Sequence, residues 1–111
     1  MTTGSDDELW SAIGDPSRRR LLDLLVRRGE ATASSLAGDV PFTRQAVTKH
    51  LAVLEDAGLV TRHRHGREVR FRVDAGRLDD ATHAMTRVAK EWDTRLKAVK
   101  RLAEAAYRAE R

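Results

Sequence analysis

The sequence predicts a mainly α-helical fold with one β-hairpin and a long C-terminal helix. Three observations predict it. Apolar residues recur at helical spacing over most of the 111 residues, and between Leu59 and Val73 the period changes to two. Glycine, proline and hydroxyl residues stand where such elements start and stop.

Composition narrows the class before any element is placed. A chain of 111 residues has material for one hydrophobic core, so residues 1–111 are read as a single domain. With 41% hydrophobic and 34% charged residues it has enough apolar surface to fold. No run approaches the roughly 18 uncharged residues of a membrane span, and Met1–Glu8 is acidic where a signal peptide is basic and then apolar. A cytoplasmic protein with no membrane partner is therefore expected. Having no cysteine, it has no disulfide, thiolate nucleophile or sulfur-ligated zinc.

Taken in order, Ser5 and Glu8 have capping-box spacing and open a first helix through Leu9, Trp10 and Ile13, stopped at Gly14. Asp15-Pro16 opens the second, whose apolar stripe is Leu21, Leu22, Leu24, Leu25 and Val26, ended by Gly29. Thr32 caps a short third helix carrying Leu36 and halted near Gly38, and Asp39 to Phe42 make a tight connection. Thr43 caps a fourth, with Val47, Leu51 and Leu54 facing the core and Gly58 as the left-handed terminator. Residues 32–58 thus read as a helix-turn-helix.

Residues 59–73 read as a hairpin, with Val69, Phe71 and Val73 alternating with Arg70 and Arg72 and a turn at His65-Gly66. Its outer face and tip are expected to carry Arg62, Arg64, Arg67, Arg70 and Arg72, opposed only by Glu68. A basic hairpin directly after a helix-turn-helix is a wing. Asp74 to Leu78 is expected to link it to a final helix over about 77–111, with the stripe Met85, Val88, Trp92, Leu96, Val99, Leu102 or Ala103, and Ala106. At about 1.5 Å per residue that helix outreaches the rest of the domain, so part of the stripe needs a partner.

Charge points to the partner's chemistry. The chain carries +4 overall, distributed as −2 over residues 1–40, +4 over 41–73 and +2 over 74–111. The excess coincides with the helix-turn-helix and the wing, which is the footprint of a polyanion, and double-stranded DNA is the expected partner.

The run Thr43-x-x-x-Val47-Thr48-x-His50-Leu51-x-x-Leu54-x-x-Ala57-Gly58-Leu59-Val60 resembles the recognition-helix signature of the ArsR-type winged-helix repressors. Asp15-Pro16-x-Arg18-Arg19-x-x-Leu22 and Trp92-Asp93-x-Arg95-Leu96 resemble the same family, so the likeness covers nearly the whole chain. The resemblance implies transcriptional control by a homodimer built from the first and last helices (1–14 and 77–111), with release from DNA when an effector binds. The chain departs from the metal-sensing members: it has no Cys-x-Cys pair, and of the last-helix site only His83 is present. No metal and no cofactor are expected.

The candidate DNA-binding residues are Arg44, Gln45, Thr48 and Lys49 at the start of the fourth helix, opposite its apolar positions. His50 lies between the faces, either a donor to the DNA backbone or a packing residue. Arg64 and Arg67 flank the wing tip and are expected to reach the DNA backbone or the minor groove, while Arg62, Arg70 and Arg72 are expected to pair in part with acidic groups. Arg18, Arg19 and Arg20 are read as a solvated helix end, or with one of them on a phosphate. The candidate dimer seam is Leu9, Trp10, Ile13, Met85, Val88, Trp92, Leu96 and Val99. His63 and His65 lack a full set of tetrahedral ligands nearby, and no serine sits in a nucleophile elbow, so no catalytic residue is assigned. Two other functions fit the same fold: a switch whose main chemistry is capture of an unknown small molecule, and an interaction module that no longer reads DNA.

Overall fold

Eight elements are found among residues 6–110, which the computed structural model describes, and the chain divides after Asp79 into two units. The first unit contains α1 (Asp6–Gly14), α2 (Pro16–Arg28), β1 (Ala31–Thr32), α3 (Ala33–Ala37), α4 (Arg44–Asp56), β2 (Val60–His65) and β3 (Glu68–Val73), and α5 (Ala75–Ala109) begins at its end. The Ser5 half of the expected capping box lies outside the described residues.

Local chemistry fixes each boundary. Asp15 accepts from the Ser17 and Arg18 backbone N–H groups at 2.7 and 3.2 Å, with Pro16 supplying the first helical turn of α2. Gly29, at φ +84°, ends it by donating its N–H to Leu25 O. The Thr32 and Thr43 hydroxyls accept from Ser35 N and Ala46 N, both at 3.1 Å, and so cap α3 and α4. Helix α4 closes in a Schellman motif, with Gly58 N on Glu55 O and Leu59 N on Leu54 O, each at 2.9 Å. Gly58 takes φ +79° there, a conformation that L side chains resist.

The core is built from the predicted stripes. Leu9, Leu21, Leu25, Leu36, Val47, Leu51, Leu54, Leu59 and Val60 are almost wholly buried. The stripe on α2 is narrower than expected, because Val26 is 59% exposed while Leu21 and Leu25 carry the packing. Arg28 adds a polar tie across the surface, bonding Asp39 and, at 3.1 Å, Ser35 Oγ, which joins the end of α2 to α3 and its turn.

The wing has a third strand. Ala31 pairs with Phe71 and Thr32 with Arg70, giving an antiparallel sheet in the order β1-β3-β2. Two residues are too few to show a period, and Thr32 serves both as the strand's end and as the cap of α3. The turn is also shifted by one: His65 pairs with Glu68 inside the ladder, and Gly66-Arg67 forms the connection. Gly66 has φ +66° and Arg67 has negative φ, the arrangement of a type II′ turn.

No link precedes α5. Asp74 Oδ1 accepts from Arg77 N at 3.1 Å and caps the helix directly, so α5 starts at Ala75. Its 35 residues span about 52 Å at 1.5 Å each. Along the part that lies in the second unit, Ala81 and Ala84 are buried, whereas Met85, Trp92, Leu96, Val99, Leu102 and Tyr107 are exposed.

Candidate nucleic-acid interface

Helix α4 presents two different sides because 100° separates successive residues. Val47, Leu51 and Leu54 point into the core, which leaves Gln45 and Lys49 facing outward. Arg44, Thr48 and Glu55 lie on the flank next to the wing. Arg44, Gln45, Thr48 and Lys49 together line one shallow depression. A second hollow, of about 420 Å³, runs from Arg44 and Thr48 past Ser34 to Arg67 and Val69 on the wing. Arg44 and Thr48 border both, so the surface from α4 to the wing is continuous.

The hairpin register divides the wing arginines between its two faces. Arg62 and Arg64 lie opposite Phe71 and Val69 on one face, while Arg70 and Arg72 share the other with His63 and Thr61. The single arginine-rich outer face expected from the sequence is therefore replaced by two, since residues paired across a ladder project to the same side.

Internal pairing sorts these cations further. Arg62 is held bidentately by Glu55, with Nε to Oε2 and Nη2 to Oε1 both 2.9 Å, and its guanidinium lies 5.3 Å from the Phe71 ring centroid. Arg70 donates to Glu30 and Glu68 at 2.9 Å each. Arg72 Nε stands 3.2 Å from His63 Nε2, the ring nitrogen that also lies 3.3 Å from Glu30 Oε2. Glu68 is thus joined in opposing the wing's charge by Glu55, seven residues from Arg62, and by Glu30, forty from Arg70. Arg44, Lys49, Arg64 and Arg67 have no acidic partner among the described residues. All four are exposed.

Glu30 is the hub of the second face. Hydrogen bonds from Arg70 and then His63 outweigh its partial desolvation and hold its carboxyl below the ordinary value.

Arg18 departs from the solvated helix end expected for the triplet. Its Nε donates to Ala12 O at 2.9 Å and its Nη2 to Ser11 O at 2.8 Å, so it satisfies the carbonyl end of α1. Asp15 pairs with it at 3.6 Å, and its side chain is 14% exposed. Partial burial opposes ionisation of Asp15, but backbone N–H bonds from Arg18 and Ser17 and the guanidinium charge prevail, and its carboxyl is held low. The signal was present: Arg18 stands three and seven residues before Leu21 and Leu25, on the buried stripe itself. Arg19 and Arg20 are exposed.

His50 is half-buried, edge-on to Phe42 with ring centroids 5.5 Å apart. Its Nδ1 lies 3.4 Å from Arg18 Nη1. A guanidinium has no acceptor, so a hydrogen bond between the two is one that Nδ1 accepts.

Of the candidate seam residues, Leu9 is fully buried within its own chain and Trp10, Ile13 and Val88 are half-buried. Met85, Trp92, Leu96 and Val99 are 45 to 59% exposed, and Arg95 lies 5.5 Å from the Trp92 ring centroid. No three potential metal ligands converge among the described residues, and no described helix is long and apolar enough to cross a membrane.

A capped, glycine-terminated helix beside a three-stranded basic wing defines a helix-turn-helix DNA-binding protein of the winged type. Known proteins carry the assignment further. A family model described as a helix-turn-helix domain matches residues 13–63. The uncharacterized HTH-type transcriptional regulator YuzN of Bacillus subtilis is 47% identical over 70 residues, spanning 58% of this chain and 76% of that one. The transcriptional repressor SdpR of the same organism is 29% identical over 90 residues, 81% of this chain and 99% of its own. Among solved structures, an ArsR-like transcriptional regulator from Rhodococcus sp. RHA1 superposes with a TM-score of 0.68 at 38% identity, covering 87% of this chain and 91% of that one. The chain belongs to the ArsR-like family of winged helix-turn-helix transcriptional regulators.

Proposed function

We propose that the protein is a homodimeric repressor that holds a roughly palindromic DNA operator. The observation that carries this is the continuous surface from α4 to the wing, on which Arg44, Lys49 and Arg67 have no acidic partner among the described residues, as Arg64 has none on the strand leading to the wing's turn. Four uncompensated cations shared between one helix start and the wing match a duplex groove with its two phosphate rails. The N-terminal turns of α4 enter the major groove. Its C-terminal turn carries Glu55 and Asp56 and stays clear of the phosphates.

The dimer follows from α5. Met85, Trp92, Leu96 and Val99 form a stripe near a 3.5-residue repeat, and a second copy is the partner that covers it. Two copies of α4 then meet the duplex about 34 Å apart, in successive major grooves of one face. Repression follows from occupancy of the promoter, and the likeness to the transcriptional repressor SdpR supports that sign.

Selection of duplexes from a random pool by the purified chain tests the proposal. Enrichment of an inverted repeat with half-sites one helical turn apart is expected, and Arg44→Ala with Lys49→Ala abolishes it while the dimer persists. Recovery of unrelated sequences, or of single half-sites bound by one chain, would overturn it.

A further inference from the structure

Arg44, Gln45, Thr48 and Lys49 share the start of the reading helix, and the structure separates one of them from the rest. Three have long side chains whose polar ends swing freely enough to meet either a phosphate or a base. Thr48 is short. Its Oγ1 donates to Arg44 O at 3.1 Å, which fixes its rotamer and commits its only hydroxyl proton to the helix backbone.

Thr48 also occupies the ridge between the two hollows of the surface, bordering the depression on α4 and the groove leading to the wing. From the flank next to the wing, a side chain of that length on a docked helix touches only what lies directly against the helix. The longer Arg44 and Lys49 beside it are the ones that reach out to the phosphates.

From these observations we infer that Thr48 is a specificity-determining residue that reads an A·T pair, an inference that rests on the DNA-binding reading above. With its proton committed, Thr48 offers a base two things: an oxygen lone pair and a methyl group. Guanine presents only acceptors, N7 and O6, in the major groove and matches neither. Cytosine presents a donor but no methyl. Only the A·T pair presents both partners, the adenine N6 amino group for the lone pair and the thymine C5 methyl for the Thr48 methyl. The neighbouring long side chains then set register and add contacts on either side.

The test compares the base preferences of the full chain and of its Thr48→Ala, Thr48→Val and Thr48→Ser variants, each selected against the same random duplex pool. One symmetric position per half-site is expected to require A·T in the unmodified protein and to lose about tenfold of that preference in Thr48→Ala, the usual scale for one mismatched pair. Replacing the thymine there by deoxyuridine removes only the methyl. It weakens binding by the parent and by Thr48→Val, and leaves Thr48→Ser and Thr48→Ala unaffected. A uniform loss in Thr48→Ala with every base preference intact would make Thr48 a backbone contact and overturn the inference. A position where guanine depends on Thr48 would overturn it too. If the parent chain enriches no sequence at all, the DNA-binding reading fails with it, so the two failures are distinct. Thr48→Val keeps the branched shape, and its thermal unfolding checks that the fold survives.

Discussion

Glu55, in the last turn of α4, and Arg62, near the start of β2, face each other in a bidentate pair with two N to O distances of 2.9 Å. The pair joins the end of α4 to the wing, and the Phe71 ring beneath Arg62 completes the clamp. The wing's angle to α4 is thereby set before any partner arrives, which is the condition for two elements to grip one duplex together.

Loss of this clamp should weaken DNA binding more than it weakens the fold. With side-chain exposures of 52% and 31% the pair is partly screened, so Arg62→Ala or Glu55→Ala is expected to cost about 1 kcal/mol of stability or less. The charge-swapped double variant should recover part of the lost operator affinity. Urea unfolding with parallel binding isotherms, arranged as a double-mutant cycle, checks both; affinity unchanged in the single variants would show that the wing is oriented by something else.

Arg18 predicts the opposite pattern. Arg18→Met removes two bonds to the α1 carbonyls and strands them at a half-buried helix end, costing about 2 kcal/mol. The salt dependence of DNA binding should not change. A reduced salt slope would place Arg18 on a phosphate instead.

Acid sensitivity should localise to two carboxylates. Glu30 and Asp15 both have folded-state values below their ordinary ones of 4.5 and 3.8. A depressed carboxyl stabilises the fold fully above its unfolded value, and that contribution disappears as pH falls through the folded one. Stability should therefore decline from about pH 5 downward, and Glu30→Gln should flatten the upper part of the decline. Unfolding free energies between pH 7 and pH 3 check this, and an identical pH profile in the variant would contradict the role assigned to Glu30.

At the wing tip, Arg64 and Arg67 should behave unlike Arg70. Each tip residue that neutralises one phosphate contributes about one unit to the slope of log affinity against log salt, so Arg64→Ala and Arg67→Ala should each lower it by about that much per chain. Arg70, already held by Glu30 and Glu68, should affect stability and leave the slope alone. Equal slopes for all three variants would erase the distinction between paired and unpaired arginines.

Much of this architecture was legible in the sequence because local chemistry dictates it. Thr43, the Val47-Leu51-Leu54 spacing and Gly58 bound α4 to the residue, and the change of period marks the hairpin. What stayed hidden depends on distant partners. Glu30 reaches Arg70 across forty positions, and β1 is recognisable only by the strand that it pairs with. Arg18 is indistinguishable from Arg19 and Arg20 by composition, and helical phase alone sends it against α1. The wing's two-faced charge follows from the ladder register, which a turn longer by one residue would have inverted.

Sedimentation of the full chain with its selected duplex, at low and at moderate salt, addresses the central claim most directly. Two chains per duplex are expected, with affinity falling steeply as salt rises and the free protein already a dimer. A monomer that leaves double-stranded DNA unbound at low salt would contradict it.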